Sequence, residues 1–104
     1  MPDSVIIEVD EDLSDLIPGF LSRKRAEVAA IMEAVAKGDY PAISRIGHRI
    51  KGEGGSYGFD SMTEMGRALE EAAAMRDDRA VTTIGRQLLN YMDNLEIVFR
   101  PSAA

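Results

Sequence analysis

The residue best suited to chemistry in this sequence is its single histidine, His48. Around it, Ile43, Ile46, Ile50 and Tyr57 recur at helical spacing, a pattern that predicts one buried face of a helix. His48 lies about 160° around that helix from Ile46 and Ile50. We therefore expect an exposed imidazole, which can act as a nucleophile near neutral pH.

Glycines are concentrated around the histidine. A glycine inside a helix costs about 0.5–1 kcal/mol relative to alanine, so each one requires a reason. Gly47 and Gly54 lie at the margins of the apolar face, where close packing of a neighbouring helix explains them. Gly52 and Gly55 share the face of His48. There we favour close approach by another molecule over helix packing.

These features identify a family resemblance. The chain resembles the histidine phosphotransfer (HPt) domains of bacterial multistep phosphorelays over nearly its whole length. The residues that carry the resemblance are His48-x-x-Lys51-Gly52, Gly58 six residues later, Leu69-Glu70, and the opening stretches Val9-Asp10 and Ile17-Pro18. The resemblance implies a phosphorelay intermediate that exchanges a phosphoryl group with receiver domains of response regulators. It also implies a hybrid or ordinary sensor histidine kinase as a partner.

The chemistry of the site follows from its charges. When Nε2 of His48 attacks phosphorus, negative charge develops on the phosphoryl oxygens. Lys51, one turn later, and Arg45, one turn earlier, are placed to offset that charge. Gly52 and Gly55 leave room for the partner to close over the ring. The resemblance implies that the aspartate and Mg²⁺ belong to the receiver domain, so we expect no cofactor and no metal in this chain.

The next helix offers a group to orient the imidazole. If the turn centres near Phe59, Glu70 lies across from His48 and Arg67 lies across from Lys51. A carboxylate at Glu70 can accept the Nδ1 proton and raise the basicity of the ring. The alternative is a solvated Glu70 that pairs with a neighbouring arginine.

Composition excludes several classes of function. With 104 residues the chain fits one domain over 1–104, with 1–9 and 101–104 extended or frayed. It lacks cysteine, has one histidine and carries a net charge of −6, which argue against a metal centre and nucleic-acid binding. No apolar run could span a membrane. No motif for ATP is present, so we do not expect an enzyme that phosphorylates itself. We expect a cytoplasmic monomer.

The hydrophobic pattern predicts an all-α fold, an antiparallel up-down four-helix bundle with a short extra N-terminal helix. No segment alternates like a strand. The predicted helices are a short one from Asp10 to Ile17, a second over Pro18 to Lys37, a third capped by Asp39 and ending at Gly58-Phe59, a fourth capped by Asp60 or Ser61 and ending at Arg76-Asp77-Asp78, and a fifth over Arg79 to Phe99, stopped by Pro101.

Two surfaces were candidates for partner docking. One end of the bundle has more apolar residues than a core stripe needs, so we predict an apolar docking patch there, formed by Leu13, Ile17 and Phe20. The run Arg23-Lys24-Arg25 is more typical of a solvated face, with docking of an acidic partner as the alternative. Glu53 conflicts with this scheme because it lies at the edge of the apolar sector.

Three other functions compete with the phosphorelay. A helical adaptor could bind receiver domains without being phosphorylated. A hydrolase with His48 as base would need a pocket and a second catalytic group, and a convex helix surface is a poor pocket. The domain could also be part of a larger kinase, although the N-terminal methionine favours a stand-alone protein.

Overall fold

The computed structural model describes residues 4–101, and most of them are helical. Four α-helices form the body of the molecule, and two short strands and a 3₁₀ helix lie at one end. The elements in chain order are β1 (Val5–Asp10), a 3₁₀ helix (Glu11–Leu16), α1 (Ile17–Lys37), α2 (Tyr40–Ser56), α3 (Asp60–Ala74), α4 (Asp78–Asp93) and β2 (Leu95–Arg100).

The helix boundaries follow local sequence signals. Asp39 and Asp77 cap α2 and α4, with side chains that accept hydrogen bonds from backbone N–H groups three residues later. Gly38 ends α1 in the left-handed conformation, with φ of 69°, a conformation that glycine adopts without steric cost. The Asp10 carboxylate accepts from Asp12 N–H and caps the 3₁₀ helix, which lies where the short N-terminal helix was predicted. α3 is capped by Phe59 without a side-chain hydrogen bond, so the predicted cap at Asp60 or Ser61 is wrong by one or two positions.

The last predicted helix is too long. α4 ends at Asp93, and Leu95–Arg100 form a strand that pairs in parallel with β1, from Val5 opposite Leu95 to Asp10 opposite Arg100. The expectation that the chain contains no strand was therefore wrong. The helical spacing of Leu88, Met92 and Leu95 continues past the true end of α4, and the strand forms because the distant Val5–Asp10 segment pairs with it.

The core runs between the four helices and continues under the sheet. It contains buried side chains from every helix and from β1, with Phe59 at the turn between α2 and α3. The fully buried large apolar side chains are Val9, Phe20, Val28, Ile31, Ile43, Ile50, Phe59, Met62, Leu69, Val81 and Leu88. Within residues 4–101 no helix has both the length and the apolar character needed to span a bilayer. The core fixes which face of α2 meets solvent.

Candidate phosphoryl site on the second helix

His48 lies at the middle of α2 and points away from the core. Ile43 and Ile50 on the opposite face have no accessible surface, whereas 73% of the His48 side chain is exposed. The prediction of an outward imidazole at the middle of a helix is confirmed. An exposed ring is open to a partner and contributes little to the core.

Glu70 of α3 reaches across to the histidine. Its Oε2 lies 3.4 Å from His48 Nδ1, and its Oε1 lies 2.7 Å from Lys51 Nζ. The hydrogen bond from Lys51 is the main reason that the pKa of Glu70 is lowered, the histidine adds to this effect, and partial burial opposes it. Glu70 is therefore an ionised group that links the two predicted site residues of α2.

Close packing of α2 on α3 makes this reach possible. A Cβ at Gly66 would lie 2.5 Å from Lys51 N and 2.6 Å from Gly47 O, and a Cβ at Gly47 would lie 3.0 Å from the Leu69 side chain. These contacts leave no space for a side chain. Glycine at these positions lets the two backbones approach closely, and the carboxylate of Glu70 then meets His48 and Lys51.

The glycines on the face of His48 have different surroundings. A Cβ at Gly52 would meet no heavy atom within 4 Å, and one at Gly55 would make an ordinary contact of 3.6 Å with Thr63. Packing within the chain therefore explains Gly47 and not Gly52 or Gly55, as the sequence predicted. The reason for the two open glycines, close approach by a partner, stays a prediction.

The two arginines predicted to support the site differ in their contacts. Arg67 makes an ion pair of 3.0 Å with Glu64 on its own helix and, among residues 4–101, none with Glu70. Arg45 is exposed, makes no ion pair among residues 4–101, and lines a depression next to His48. Arg45 is thus free to meet an incoming anion, whereas Arg67 is already paired.

A shallow depression that is largely open to solvent lies beside His48. It has a volume of about 680 Å³ and is lined by Pro41, Ser44, Arg45, His48, Arg49 and Glu70. Of the two guanidinium groups that line it, that of Arg49 is already paired with Glu27, and the lining also includes the Glu70 carboxylate. Arg45 is therefore the guanidinium that is open to an anionic group beside the ring.

The structure contradicts the docking patch predicted from Leu13, Ile17 and Phe20. Ile17 is 3% exposed and Phe20 is completely buried, so a partner cannot reach either side chain. Phe20 stacks on Phe59 at 5.4 Å and packs against Tyr57 at 4.4 Å between ring centroids. Leu13 is half-buried against the core. The sequence does not show that Phe20 is buried, because its aromatic partners Tyr57 and Phe59 are distant in sequence.

On the other side of α2 lies a group of charges that the sequence analysis missed, the Lys24 cluster. Lys24 is 2% exposed, and its ammonium contacts Glu27 on α1 and, at 2.7 Å, Glu53 on α2. Arg49 donates to Glu27 at 2.7 Å. A solvated or docking role for Arg23-Lys24-Arg25 is therefore wrong for Lys24, and the unexplained Glu53 is its partner. The signal was the spacing of Phe20, Lys24, Val28 and Ile31, which places Lys24 on the buried stripe.

No group of three or more His, Cys, Asp or Glu side chains within residues 4–101 is arranged to hold a metal ion.

The chain matches a known protein family. The family model described as Hpt domain matches residues 6–97, which include His48, Lys51, Gly52 and Glu70. No curated protein and no solved structure matches the chain significantly.

Proposed function

Because this chain belongs to the Hpt domain family, a family of phosphotransfer modules in two-component phosphorelays, we propose that it is a phosphorelay intermediate whose phosphorylated residue is His48. It accepts a phosphoryl group from a receiver-domain aspartate or from a partner kinase and passes it to the aspartate of another receiver. The observation that carries the proposal is the geometry of the ring: it is 73% exposed, and its Nδ1 faces Glu70.

Transfer requires a lone pair on Nε2. Glu70 Oε2 lies 3.4 Å from Nδ1 and favours the neutral imidazole that carries its proton on Nδ1, which leaves the lone pair on Nε2. Nε2 forms a bond to phosphorus while the bond between phosphorus and the aspartyl oxygen of the receiver breaks, and the carboxylate leaves with the electron pair. The positive charge that develops on the ring is offset by Glu70. Glu70 is therefore a positioning residue in this proposal.

Lys51 offsets the negative charge of the phosphoryl group and forms no covalent bond to it. Its ammonium is paired with Glu70 at 2.7 Å and lies one helical turn from His48. A doubly negative phosphoryl group on Nε2 competes with Glu70 for this cation. Arg45, which is exposed beside the depression, is the second cation in reach, and Gly52 and Gly55 keep the surface open. Support from Arg67 is weaker, because Glu64 already pairs with it.

The partners follow from the family. Hpt domains interact with receiver domains and kinases of two-component relays. In our proposal the receiver supplies Mg²⁺ and the acid–base groups, and this chain binds neither a cofactor nor ATP. Cytoplasmic location in a bacterium, and the absence of nucleic-acid and membrane partners, stay predictions. The up-down antiparallel arrangement is also part of the proposal. It is supported by two ion pairs between α1 and α2: Lys24 pairs with Glu53, whereas Glu27, which lies later on α1, pairs with Arg49, which lies earlier on α2.

The test is transfer from a receiver domain carrying radiolabelled phosphate. We expect this chain to acquire acid-labile label, because phosphohistidine is acid-labile, and the His48→Gln variant to acquire none. The variant should unfold at the same urea concentration as the unchanged protein, since the ring is exposed. Label on His48→Gln would overturn the assignment. If the unchanged protein binds the receiver but is never labelled, the chain is an adaptor instead.

A further inference from the structure

The sheet at the end of the molecule has an open edge on the side of β2. Within residues 4–101 it consists of β1 and β2 alone, so each strand has one edge without a neighbouring strand. Two side chains of β2 are apolar and exposed: Val98 is 45% exposed and Phe99 is 43% exposed. An unpaired strand edge with exposed apolar side chains is a template for pairing with another strand.

The backbone groups on the free edge of β2 can be assigned. The C=O of Asn94 accepts a hydrogen bond from Val5 N–H at 2.9 Å and so points towards β1. The C=O and N–H of one peptide point in opposite directions, and residues of a strand alternate between its two edges. Hence the N–H and C=O groups of Leu95, Ile97 and Phe99 point away from β1. Among residues 4–101 no backbone bond to another element engages them.

The side chains of β2 are complementary to a second β2 that runs in the opposite direction. If Val98 of one copy lies opposite Val98 of the other, Glu96 of each copy lies opposite Arg100 of the other. Both charged residues are exposed, and neither makes an ion pair within residues 4–101. Opposite charges and apolar side chains directly across an antiparallel pair are both stabilising.

The same register satisfies the backbone. Ile97 and Phe99 of one copy form hydrogen-bonded pairs with Phe99 and Ile97 of the other, four bonds in all by the antiparallel pattern. Val98 then forms the central pair without hydrogen bonds, in which side chains approach most closely. Pro101, which has no N–H, limits the ladder at each end.

The free edge of β1 lacks this complementarity. Its charged residues are Glu8 and Asp10, and it carries no cation. Any pairing of β1 with a second β1 brings acidic side chains together and gains no ion pair. The acids therefore protect the β1 edge against self-association, and the β2 edge has no such protection.

We propose that β2 is a homodimer interface, in which two copies of this chain join their sheets into one four-stranded sheet with the order β1-β2-β2-β1. The two-fold axis passes through the pair of Val98 residues, so the interface is closed. Because two short strands bury much less than the roughly 1,200–2,000 Å² of a standard interface, the dimer is weak. It replaces the monomer expected from the sequence, which did not foresee β2. His48 lies on α2, outside the sheet, so this proposal stands independently of the phosphoryl chemistry.

Charge reversal tests the register. Sedimentation velocity of the full chain from about 10 µM to about 1 mM should show a mass that rises towards two copies. Arg100→Glu places Glu opposite Glu at both contacts, and Glu96→Arg places Arg opposite Arg. Each variant alone should dimerise about tenfold more weakly. An equimolar mixture of the two should dimerise again, because Glu96 of one chain then faces Arg100 of the other, and the new Glu faces the new Arg.

A matched pair of variants separates edge pairing from stacking of the outer sheet faces. Val98→Lys places two ammonium groups at the centre of the proposed interface and should abolish the dimer. Ile6→Gln removes apolar surface from the outer face of β1, where the side chain is 64% exposed, without placing a charge across from Glu96, and should leave the dimer intact. A mass of one copy at 1 mM, failure of the mixture to recover association, or equal loss with Val98→Lys and Ile6→Gln would overturn the proposal. Equal urea midpoints for all variants would show that the fold is unchanged.

Discussion

The second helix contacts its two neighbours in different ways. Against α3 it packs backbone to backbone, since Gly66 lies so close to α2 that a Cβ there would come within 2.6 Å of the Gly47 carbonyl and 2.5 Å of Lys51 N. Against α1 it is connected by long charged side chains, with Lys24 bridging to Glu53 and Arg49 to Glu27. The first contact permits no change of distance, whereas the second can adjust through side-chain rotamers.

This difference between the two contacts shows which of them sets the geometry of the site. A glutamate side chain can meet both His48 and Lys51 only if the helix axes are close and fixed. The α2–α3 contact provides this, and Glu70 is placed across from the histidine by it. The Lys24 cluster also combines lysine with glutamate, but its ammonium is 2% exposed and serves to hold α1 and α2 together. The two pairs combine the same residue types and differ in the exposure of the lysine side chain, which is 2% at Lys24 and 32% at Lys51.

Gly66→Ala should have the largest effect on this comparison. The new Cβ would overlap with backbone atoms of α2, which cannot rotate away as a side chain can, so the helices must separate. We expect the free energy of unfolding to fall by about 3 kcal/mol or more, measured in urea. Phosphoryl transfer should also slow, since Glu70 moves away from His48. Gly19→Ala is the control, because its Cβ would make an ordinary 3.5 Å contact with a flexible arginine. Equal stability of the two variants would show that the close contact is not needed.

Lys24→Ala should have the next largest effect. It removes a buried ammonium that two carboxylates share and uncovers the Phe20 ring, which lies 5.2 Å from that nitrogen. Because Arg49 still pairs with Glu27, we expect a loss of about 2 kcal/mol rather than the full effect of breaking a buried pair. Arg25→Ala is the matched control. Its exposed pair with Asp93 should contribute less than about 1 kcal/mol. A loss no greater than that of Arg25→Ala would mean that the Lys24 cluster does not hold the helices together.

Glu70→Gln should give a smaller effect that depends on pH. The pKa of Glu70 is lowered in the folded chain, mainly by the hydrogen bond from Lys51. Its ionised form therefore stabilises the fold above the ordinary pKa of 4.5, and the contribution is lost as the pH falls through the lowered value. The urea midpoint of the variant should be lower than that of the unchanged protein at pH 7, and the two should converge in acid. Transfer should be slower at pH 7, because the variant lacks the negative charge that offsets the positive charge developing on the ring.

Glu64→Gln is the control for this experiment. Its carboxylate is 67% exposed and, within residues 4–101, pairs only with Arg67 on the same helix. Its urea midpoint should follow that of the unchanged protein at every pH, because exposed pairs contribute little. If Glu70→Gln behaves in the same way, the contact of Glu70 with Lys51 and His48 has no energetic consequence.

The parts of the site that the sequence predicts depend on short-range periodicity. The exposure of His48 follows from its angle to Ile46 and Ile50, and the position of Glu70 follows from counting equal rises on both sides of a turn. The packing roles of Gly47 and Gly54 follow from the same angles. Each of these inferences spans at most one helical hairpin.

The features that were missed depend on contacts between distant residues. Leu95–Arg100 is a strand because β1, about ninety residues earlier, pairs with it, and nothing local distinguishes it from the end of a helix. Lys24 is buried because Glu53 lies across from it in space. Phe20 is core because Phe59 stacks on it, so its apolar surface was mistaken for a docking patch. A one-dimensional pattern shows that a residue is apolar or charged without showing which partner covers it.

Among these variants, Gly52→Gln should change the free energy of unfolding least, and it should raise it whereas the others lower it. A Cβ at Gly52 would meet no heavy atom within 4 Å, so the variant loses no packing at this atom and gains helix propensity. We expect the free energy of unfolding to rise by about 0.5 kcal/mol. Gly47→Gln, five residues earlier on the same helix, should lose stability, because a Cβ there would lie 3.0 Å from the Gly66 carbonyl.

The rate of transfer decides why Gly52 is glycine. If the open backbone lets a receiver domain close over the ring, the bulkier Gly52→Gln variant should accept phosphate several-fold more slowly although it is more stable. A site in which glycine was merely tolerated would gain stability and keep its rate. Because a Cβ at Gly52 would meet no heavy atom within 4 Å among residues 4–101, a slower rate in a more stable protein points to the surface that the partner covers. The two measurements on one variant therefore separate the contact of α2 with α3 from its contact with another molecule.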